Sequence, residues 1–124
     1  MHTFYAWLVQ NSERGYSFGM KNFKVIVTVP EKDADRLRQA IGEAGGDVIG
    51  NYSFCSFSVK GIGRFKPNEN ANPAIGAAGN FEAVEEERIE FPCAEDKLPL
   101  VVEAIKKAHP YEEPVIDVLE LFEI

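Results

Sequence analysis

The chain has 124 residues, 45% of them hydrophobic, and a formal net charge of −7 at pH 7. This length and composition fit one ordinary domain with its own core, and the acidic balance disfavours a nucleic-acid backbone or an anionic membrane as partner. Two cysteines without Cys-x-x-Cys spacing form neither a disulfide framework nor a zinc ribbon. Because no apolar run reaches the roughly 20 residues of a membrane span and no basic leader opens the chain, we expect a cytoplasmic protein with reduced thiols.

Residues 1–21 differ from the rest of the chain in their high aromatic content. Met20 stands just before the first convincing strand, so we predict that the domain proper covers residues 22–124. Residues 1–21 are interpreted as an extension or as a start-site artefact that is not native. The alternative is that residues 3–10 add an edge strand, because β-branched and aromatic residues favour strands.

Alternation of apolar and polar residues predicts strands, and apolar residues three or four apart predict helices. The predicted strands are residues 23–29, 55–60, 88–93 and 115–122, and the predicted helices are residues 34–44 and 98–107. Pro30 should end the first strand, and Gly45-Gly46 should end the first helix. This order predicts an α+β, ferredoxin-like βαββαβ sandwich, with a four-stranded antiparallel sheet and two helices on one face.

Two connections between these elements are unusual. Residues 61–80 form a long predicted loop rich in Gly, Pro and Asn, and loops of this length are usually functional or mobile. Residues 109–114, called the connector below, read His-Pro-Tyr-Glu-Glu-Pro. The two prolines restrict the residues before them to extended backbone. We therefore predict a stiff connector that holds an imidazole, a phenol and two carboxylates in fixed positions.

Several blocks of sequence, taken in order, resemble one known family. The blocks are Val29-Pro30, Gly50-Asn51-Tyr52 with Cys55, Gly63-Arg64-Phe65, residues 72–76, residues 84–90, and residues 109–114. Over about residues 21–122 the chain resembles the PII-like or CutA-like domain inserted in NGG-interacting-factor-three-like proteins, which also occurs as a small free-standing protein. The resemblance implies a ferredoxin-like fold and a homo-oligomer, with a trimer favoured.

The resemblance also bears on activity. The dinuclear metal centre of the host proteins lies in a different domain, so it implies no hydrolase activity for this chain. CutA-type relatives are linked to divalent-metal tolerance, and PII-type relatives bind effectors and partner proteins through the corresponding long loop.

His109, Glu112 and Glu113 are the candidate metal ligands. Imidazole suits zinc, copper or nickel, and carboxylates add negative charge. One histidine in the domain proper would need further ligands, which neighbouring subunits of an oligomer could supply, so a divalent metal ion is the predicted cofactor. The alternative is a purely structural connector in which Tyr111 packs and the carboxylates are solvated.

Arg64 and Lys66 are candidate ligand-binding residues, and Phe65 and Tyr111 complete the predicted ligand-binding set. An arginine with backbone N–H groups near glycines can hold an anion. The segment fails the dinucleotide fingerprint because Lys66 occupies the third glycine position. The alternative is a turn that needs positive φ, with the charges serving solubility.

The remaining polar and thiol groups favour no reaction. Cys55 and Cys93 are predicted to pack in the core, and residues 85–87 with Glu90 are predicted to be a solvated strand face on which Arg88 could pair across the sheet or with another subunit. Without a serine–base pair or a second domain histidine, we predict no catalytic residues.

The sequence therefore predicts a small non-catalytic binding or sensing module for a divalent metal or a small ligand at subunit interfaces. The alternatives are a regulatory protein-docking domain, or a hydrolase-like enzyme that uses His109 as acid or base.

Overall fold

The computed structural model describes residues 21–122 of the chain. The predictions made for residues 1–20, including the edge strand at residues 3–10, lie outside the described residues.

The described chain contains four strands and two longer helices. The strands are β1 (Asn22–Pro30), β2 (Phe57–Phe65), β3 (Glu82–Ala94) and β4 (Ile116–Glu120), and the helices are α1 (Ala34–Glu43) and α2 (Leu98–Ala108). A short 3-10 turn precedes each helix. The sheet order is β2-β3-β1-β4, and every neighbouring pair is antiparallel. The predicted ferredoxin-like α+β fold is therefore confirmed.

The core lies between one face of the sheet and both helices. The strand residues of this face occupy every second position of β1 and β3, because successive side chains of a strand point to opposite faces, and the helical members recur three or four residues apart. The fully buried members are Val25, Val27, Val29, Ala34, Leu37, Ile41, Ile89, Phe91, Cys93, Val101 and Ile105. Burying each larger side chain contributes about 1.5–3 kcal/mol, so this face supplies most of the stability that holds the other face in place.

The second strand is longer than the sequence predicts. We expected a strand over residues 55–60 followed by a loop over residues 61–80, but β2 runs to Phe65 and β3 begins at Glu82. The strand continues because Gly61 pairs with Glu86 and Gly63 pairs with Val84. The connecting segment, called the arm below, is therefore residues 66–81.

The facing of β2 differs from the one that a core position for Cys55 would require. Ser58 lies opposite Ile89 and accepts a hydrogen bond from Arg38 of α1, so it faces the helices, while Phe57 faces the other way and is 66% exposed. A shift of one residue exchanges the two faces of a strand. The prediction that Cys55 packs in the core is wrong, because this residue precedes β2 and is partly exposed. The prediction for Cys93 is confirmed.

Strands β2 and β3 extend beyond the rest of the sheet. The last residue of β1, Pro30, pairs with Glu86, and four further β2–β3 pairs run from Ile62↔Glu85 to Phe65↔Glu82. These residues, 62–65 and 82–85, form a two-stranded ribbon. Within residues 21–122, neither helix is long and apolar enough to cross a membrane.

Candidate functional site

A cavity of about 620 Å³ lies where the ribbon, the arm and the connector meet. Its lining consists of residues 59–68 of β2 and the arm, Ala71 and residues 73–75 of the arm, residues 111–113 of the connector, and Val115, Thr28, Glu86 and Arg88. This volume falls within the roughly 300–1,000 Å³ of small-molecule sites. The four predicted ligand-binding residues, Arg64, Phe65, Lys66 and Tyr111, all line it, as do Glu112 and Glu113. The two unusual connections of the sequence thus lie side by side within one subunit.

The cavity lies on the face of the sheet opposite the helices. Thr28 lies between the core residues Val27 and Val29, and Arg88 comes directly before the core residue Ile89. Since successive side chains of a strand point to opposite faces, Thr28 and Arg88 belong to the helix-free face, and so does Glu86, two residues before Arg88. The helices therefore support the cavity from behind without entering it.

Glu86 and Tyr111 form the central polar contact of the cavity. The Tyr111 phenol donates a hydrogen bond of 2.8 Å to Oε2 of Glu86, and Glu86 is only 7% exposed. Burial, followed by the hydrogen bond to Glu86, raises the pKa of Tyr111 well above its usual value, so the phenol remains a donor. The Tyr111 ring also meets the ring of Phe65 edge-on, with 5.8 Å between centroids.

A glycine makes room for the Glu86 carboxylate. A Cβ added at Gly63 would overlap the carboxylate group of Glu86, whereas a Cβ at Gly61 would meet nothing within 4 Å. Neither glycine has positive φ, since within the described chain the positive-φ glycines are Gly45, Gly50, Gly76 and Gly79. The suggestion of a tight turn at Gly61–Gly63 is therefore wrong. Gly63 is needed for close approach of a side chain.

The run of glutamates in β3 is only in part the solvated face that we expected, because Glu85 is exposed whereas Glu86 and Glu87 are not. Glu86 is buried beneath Tyr111, and Glu87 accepts a hydrogen bond of 2.8 Å from Nη1 of Arg38. Arg88 pairs along its own strand, with 2.9 Å between its Nε and Oε1 of Glu90. Sequence reasoning missed Glu86. The two glycines of the neighbouring strand could have revealed Glu86, because glycine within a strand often marks a position that another group approaches closely.

His109 lies outside the cavity lining. It is 6% exposed, its Nε2 lies 2.7 Å from the carbonyl oxygen of Thr28, and its Nδ1 accepts the Tyr111 backbone N–H at 3.1 Å. Because Nδ1 accepts, Nε2 carries the proton and donates to Thr28, which assigns the neutral tautomer. The imidazole thus fixes the start of the connector. Coordinating a metal or transferring a proton would break one of these hydrogen bonds.

The three predicted metal ligands do not converge within one subunit. Oε1 of Glu112 accepts the backbone N–H of Asn72 at 2.8 Å, so this carboxylate joins the connector to the arm. Across residues 21–122, no group of three or more His, Cys, Asp or Glu side chains is arranged to hold a metal ion. The divalent-metal cofactor and the ligand set of His109, Glu112 and Glu113 stay a prediction.

The cations of the cavity lining differ in their partners. Nζ of Lys60 lies 3.5 Å from Oε1 of Glu31, and Nζ of Lys66 lies 4.8 Å from the centroid of the Phe81 ring. Arg64, by contrast, has no carboxylate oxygen within 4 Å among the residues described. Of these three cations, Arg64 is therefore the one with neither a carboxylate nor an aromatic ring as a partner within the described residues.

The comparisons with known proteins agree with this architecture. No protein-family model matches the chain. A relative from Halalkalibacterium halodurans, named GTP cyclohydrolase 1 type 2 homolog, is 48% identical over 99 residues, which is 80% of this chain and 27% of that protein. The chain thus spans about a quarter of the length of the curated relatives that it matches.

Solved structures also resemble the described fold, and two of them illustrate the likeness. A Bacillus cereus protein related to NIF3 superposes with a TM-score of 0.73 at 40% identity, covering 86% of this chain and 27% of the other. The periplasmic divalent cation tolerance protein CutA from Archaeoglobus fulgidus gives 0.60 at 18% identity, covering 81% and 83%, a likeness of fold. Both superpositions agree with the fold described above. The chain is a CutA/PII-like domain of the kind found in NIF3-like proteins.

Proposed function

We propose that this domain is a non-catalytic module that binds a small molecule in the cavity between the ribbon, the arm and the connector. The observation that carries the proposal is the cavity itself, about 620 Å³ in volume and lined by apolar residues together with charged groups of both signs. Binding sites of this kind combine a mostly apolar wall with a few placed polar groups. The backbone partners of His109 favour this function over acid–base catalysis.

Two features support a role for the predicted ligand-binding residues. Arg64 and Lys66 line the cavity and offer positive charge to an anionic group, for which arginine is well suited. Phe65 and Tyr111 meet edge-on and offer aromatic surface to an apolar or planar part of the ligand.

We also propose that the domain works as a homo-oligomer, with the trimer as the form that the resemblance implies. Strand β2 lies at the edge of the sheet, and edge strands with exposed apolar side chains tend to pair with other chains. Its exposed apolar residues are Phe57, Val59 and Ile62. Val59 and Ile62 also line the cavity, so a subunit docked on β2 would add to the site. Light scattering should give three times the chain mass, and a strict monomer at high concentration would contradict the proposal.

A cavity-filling variant tests ligand binding. Gly61 lines the cavity and has free space around its would-be Cβ, so Gly61→Phe should fill the cavity without disturbing the sheet. The control is Leu119→Phe, at a half-exposed position of β4 outside the lining. Each form would be screened against a library of small metabolites by thermal denaturation.

Hits should raise the melting temperature of the wild type and of Leu119→Phe but not of Gly61→Phe, because a ligand at about 100 times its Kd adds roughly 2.7 kcal/mol of stability. Hits that persist in Gly61→Phe, or a screen without hits, would refute the proposal.

The metal prediction has its own test. Since both ring nitrogens of His109 bond to backbone groups, a metal site would depend on carboxylates from several subunits. Zinc would be titrated by calorimetry into the wild type and into the double variant Glu112→Gln with Glu113→Gln. A heat of zinc binding that is present in the wild type and absent in the double variant would support the metal prediction. The absence of binding heat in both proteins would contradict it.

A further inference from the structure

We infer that the small molecule carries a cationic group, a protonated amine or a guanidinium, which pairs with Glu86 in the cavity. This inference rests on the proposed function and names the class of its ligand. The site consists of the Glu86 carboxylate, the Tyr111 phenol that orients it, and Gly63, which leaves room for it.

Glu86 has unfilled hydrogen-bonding capacity. This residue is more than nine-tenths buried and lines the cavity. Its Oε2 accepts from Tyr111, but within residues 21–122 no group donates to its Oε1. An ionised carboxylate has about four acceptor positions, and the fully buried side-chain oxygens without a partner in the described chain belong to Asp33 and Asp47, not to Glu86. The free acceptor positions of Glu86 are therefore open to a donor from the ligand.

The Glu86 carboxylate has no cationic partner among the described residues. In the part of the chain that the structure describes, no Lys or Arg nitrogen lies within 4 Å of the Glu86 carboxylate. The nearby cations have contacts of their own: Lys60 pairs with Glu31, Arg88 pairs with Glu90, and Lys66 lies over Phe81. The negative charge of Glu86 is therefore left for a group from outside.

Arg64 is not an internal partner of Glu86. Arg64 follows Gly63 in β2, and successive residues of a strand point to opposite faces. The would-be Cβ of Gly63 points at the Glu86 carboxylate, so the Arg64 side chain leaves the strand on the other side. A ligand that meets both Arg64 and Glu86 would thus carry a negative and a positive group at separate points.

Three probes of nearly equal size test this inference in the wild-type protein. Benzylamine is protonated at pH 7, benzyl alcohol is its neutral counterpart, and benzoate is anionic. Each would be titrated in metal-free buffer and followed by the backbone NMR signals of Gly61, Gly63 and Tyr111. We expect benzylamine to bind about tenfold or more tightly than benzyl alcohol, the usual advantage of a hydrogen-bonded charge pair.

Two variants locate the effect. Glu86→Gln keeps the shape but removes the charge, and should abolish the preference for benzylamine. Glu85→Gln is the matched control, because this neighbouring residue projects to the opposite face of β3 and lies outside the cavity lining. It should keep the preference. If Glu86→Gln fails to fold, the comparison of the three probes in the wild type still tests whether the cavity prefers a cationic ligand.

The outcomes separate the two proposals. Equal binding of benzylamine and benzyl alcohol, or an unchanged preference in Glu86→Gln, would overturn the cationic ligand, and water would then be the partner of Oε1. Binding of benzoate or benzyl alcohol alone at the cavity signals would leave the proposed function standing without its cation. If none of the three probes shifts these NMR signals, the inference is overturned as well. The thermal-denaturation screen of the metabolite library tests the proposed function independently.

Discussion

The two faces of the sheet bury different chemistry. Beneath the helices lie hydrocarbon side chains such as Phe91 and Leu37, each with almost no exposed surface. On the opposite face, the cavity buries a carboxylate, Glu86, under a phenol, Tyr111. Burial of hydrocarbon stabilises a fold, whereas burial of an incompletely paired charge opposes it. The helix-covered face therefore supplies most of the stability of the fold, whereas the cavity face carries the candidate site.

Two buried polar residues sharpen the same contrast. His109 and Glu86 are 6% and 7% exposed, but both nitrogens of His109 have backbone partners while one oxygen of Glu86 has none among the described residues. A fully paired buried group holds structure together, and a half-paired one beside a cavity is available to a ligand. This difference makes Glu86, which the sequence analysis did not single out, a better candidate for contact with a ligand than His109.

The largest effect should come from the helix-covered face. Leu37→Ala removes a fully buried side chain of α1, and we expect a loss of about 2–5 kcal/mol in the free energy of unfolding. Leu100→Ala, the same change at a position of α2 that is 54% exposed, should cost less than about 1 kcal/mol. Urea denaturation measures both, and similar losses would contradict the division between the faces.

The next effect concerns the phenol of the cavity face. Tyr111→Phe removes the donor to buried Glu86, so we expect a loss of about 1.5–3 kcal/mol, the range for hydrogen bonds to charged groups. The control is Tyr52→Phe, since this tyrosine is 76% exposed and should change stability by less than about 0.5 kcal/mol.

The same tyrosine predicts a pH dependence. Its pKa is raised in the folded state, so its contribution is present below the ordinary value of about 10 and is lost as pH rises through the higher folded value. Above pH 10 the wild type should lose stability more steeply than Tyr111→Phe. Parallel curves in thermal denaturation would show that Tyr111 is not the group responsible.

A smaller effect distinguishes two glycines of one strand. Gly61→Ala has free space and should be neutral or stabilising by up to about 1 kcal/mol, because alanine has fewer unfolded conformations. Gly63→Ala would displace the Glu86 carboxylate and should destabilise by about 1–2 kcal/mol. Chemical denaturation measures the free energy of unfolding of both variants. Equal values would mean that the Glu86 carboxylate can adopt another position without loss of stability.

The smallest effect tests an exception beside the core. Asp47 is 2% exposed, its Oδ1 has no partner within the described chain, and burial raises its pKa. A raised folded pKa means that this residue lowers stability as pH rises above about 3.9. Asp47→Asn should therefore raise the melting temperature at pH 7 and change it less near pH 3.5. A gain that is the same at both values would exclude the charge as its cause.

Much of the fold could be predicted because its signals are local. Alternation in residues 23–29 and helical spacing in residues 34–44 each report the face that meets the core, and both elements occur where expected. The extension of β2 could not be predicted this way, since glycines normally weaken a strand and here continue it by pairing with β3.

The site was predictable only in outline. The connector and the glycine-rich segment mark its walls, but Glu86 lies in a run of glutamates that would ordinarily be solvated, and its partner Tyr111 is 25 residues away in sequence. The orientation of His109 depends on the carbonyl of Thr28, 81 residues away. Contacts between residues that are far apart in the sequence cannot be predicted from the local pattern of apolar and polar residues.

The hydrogen bond between Asn72 and Glu112 ties the arm to the connector beside the cavity. It is the single polar link between the arm and the connector in the described part of the chain, and it is exposed. A single exposed link of this kind contributes little to stability, so we expect the arm to separate from the connector more readily than β2 separates from β3. A bound ligand would then be held mainly by its own contacts with the cavity, including the contact with Glu86.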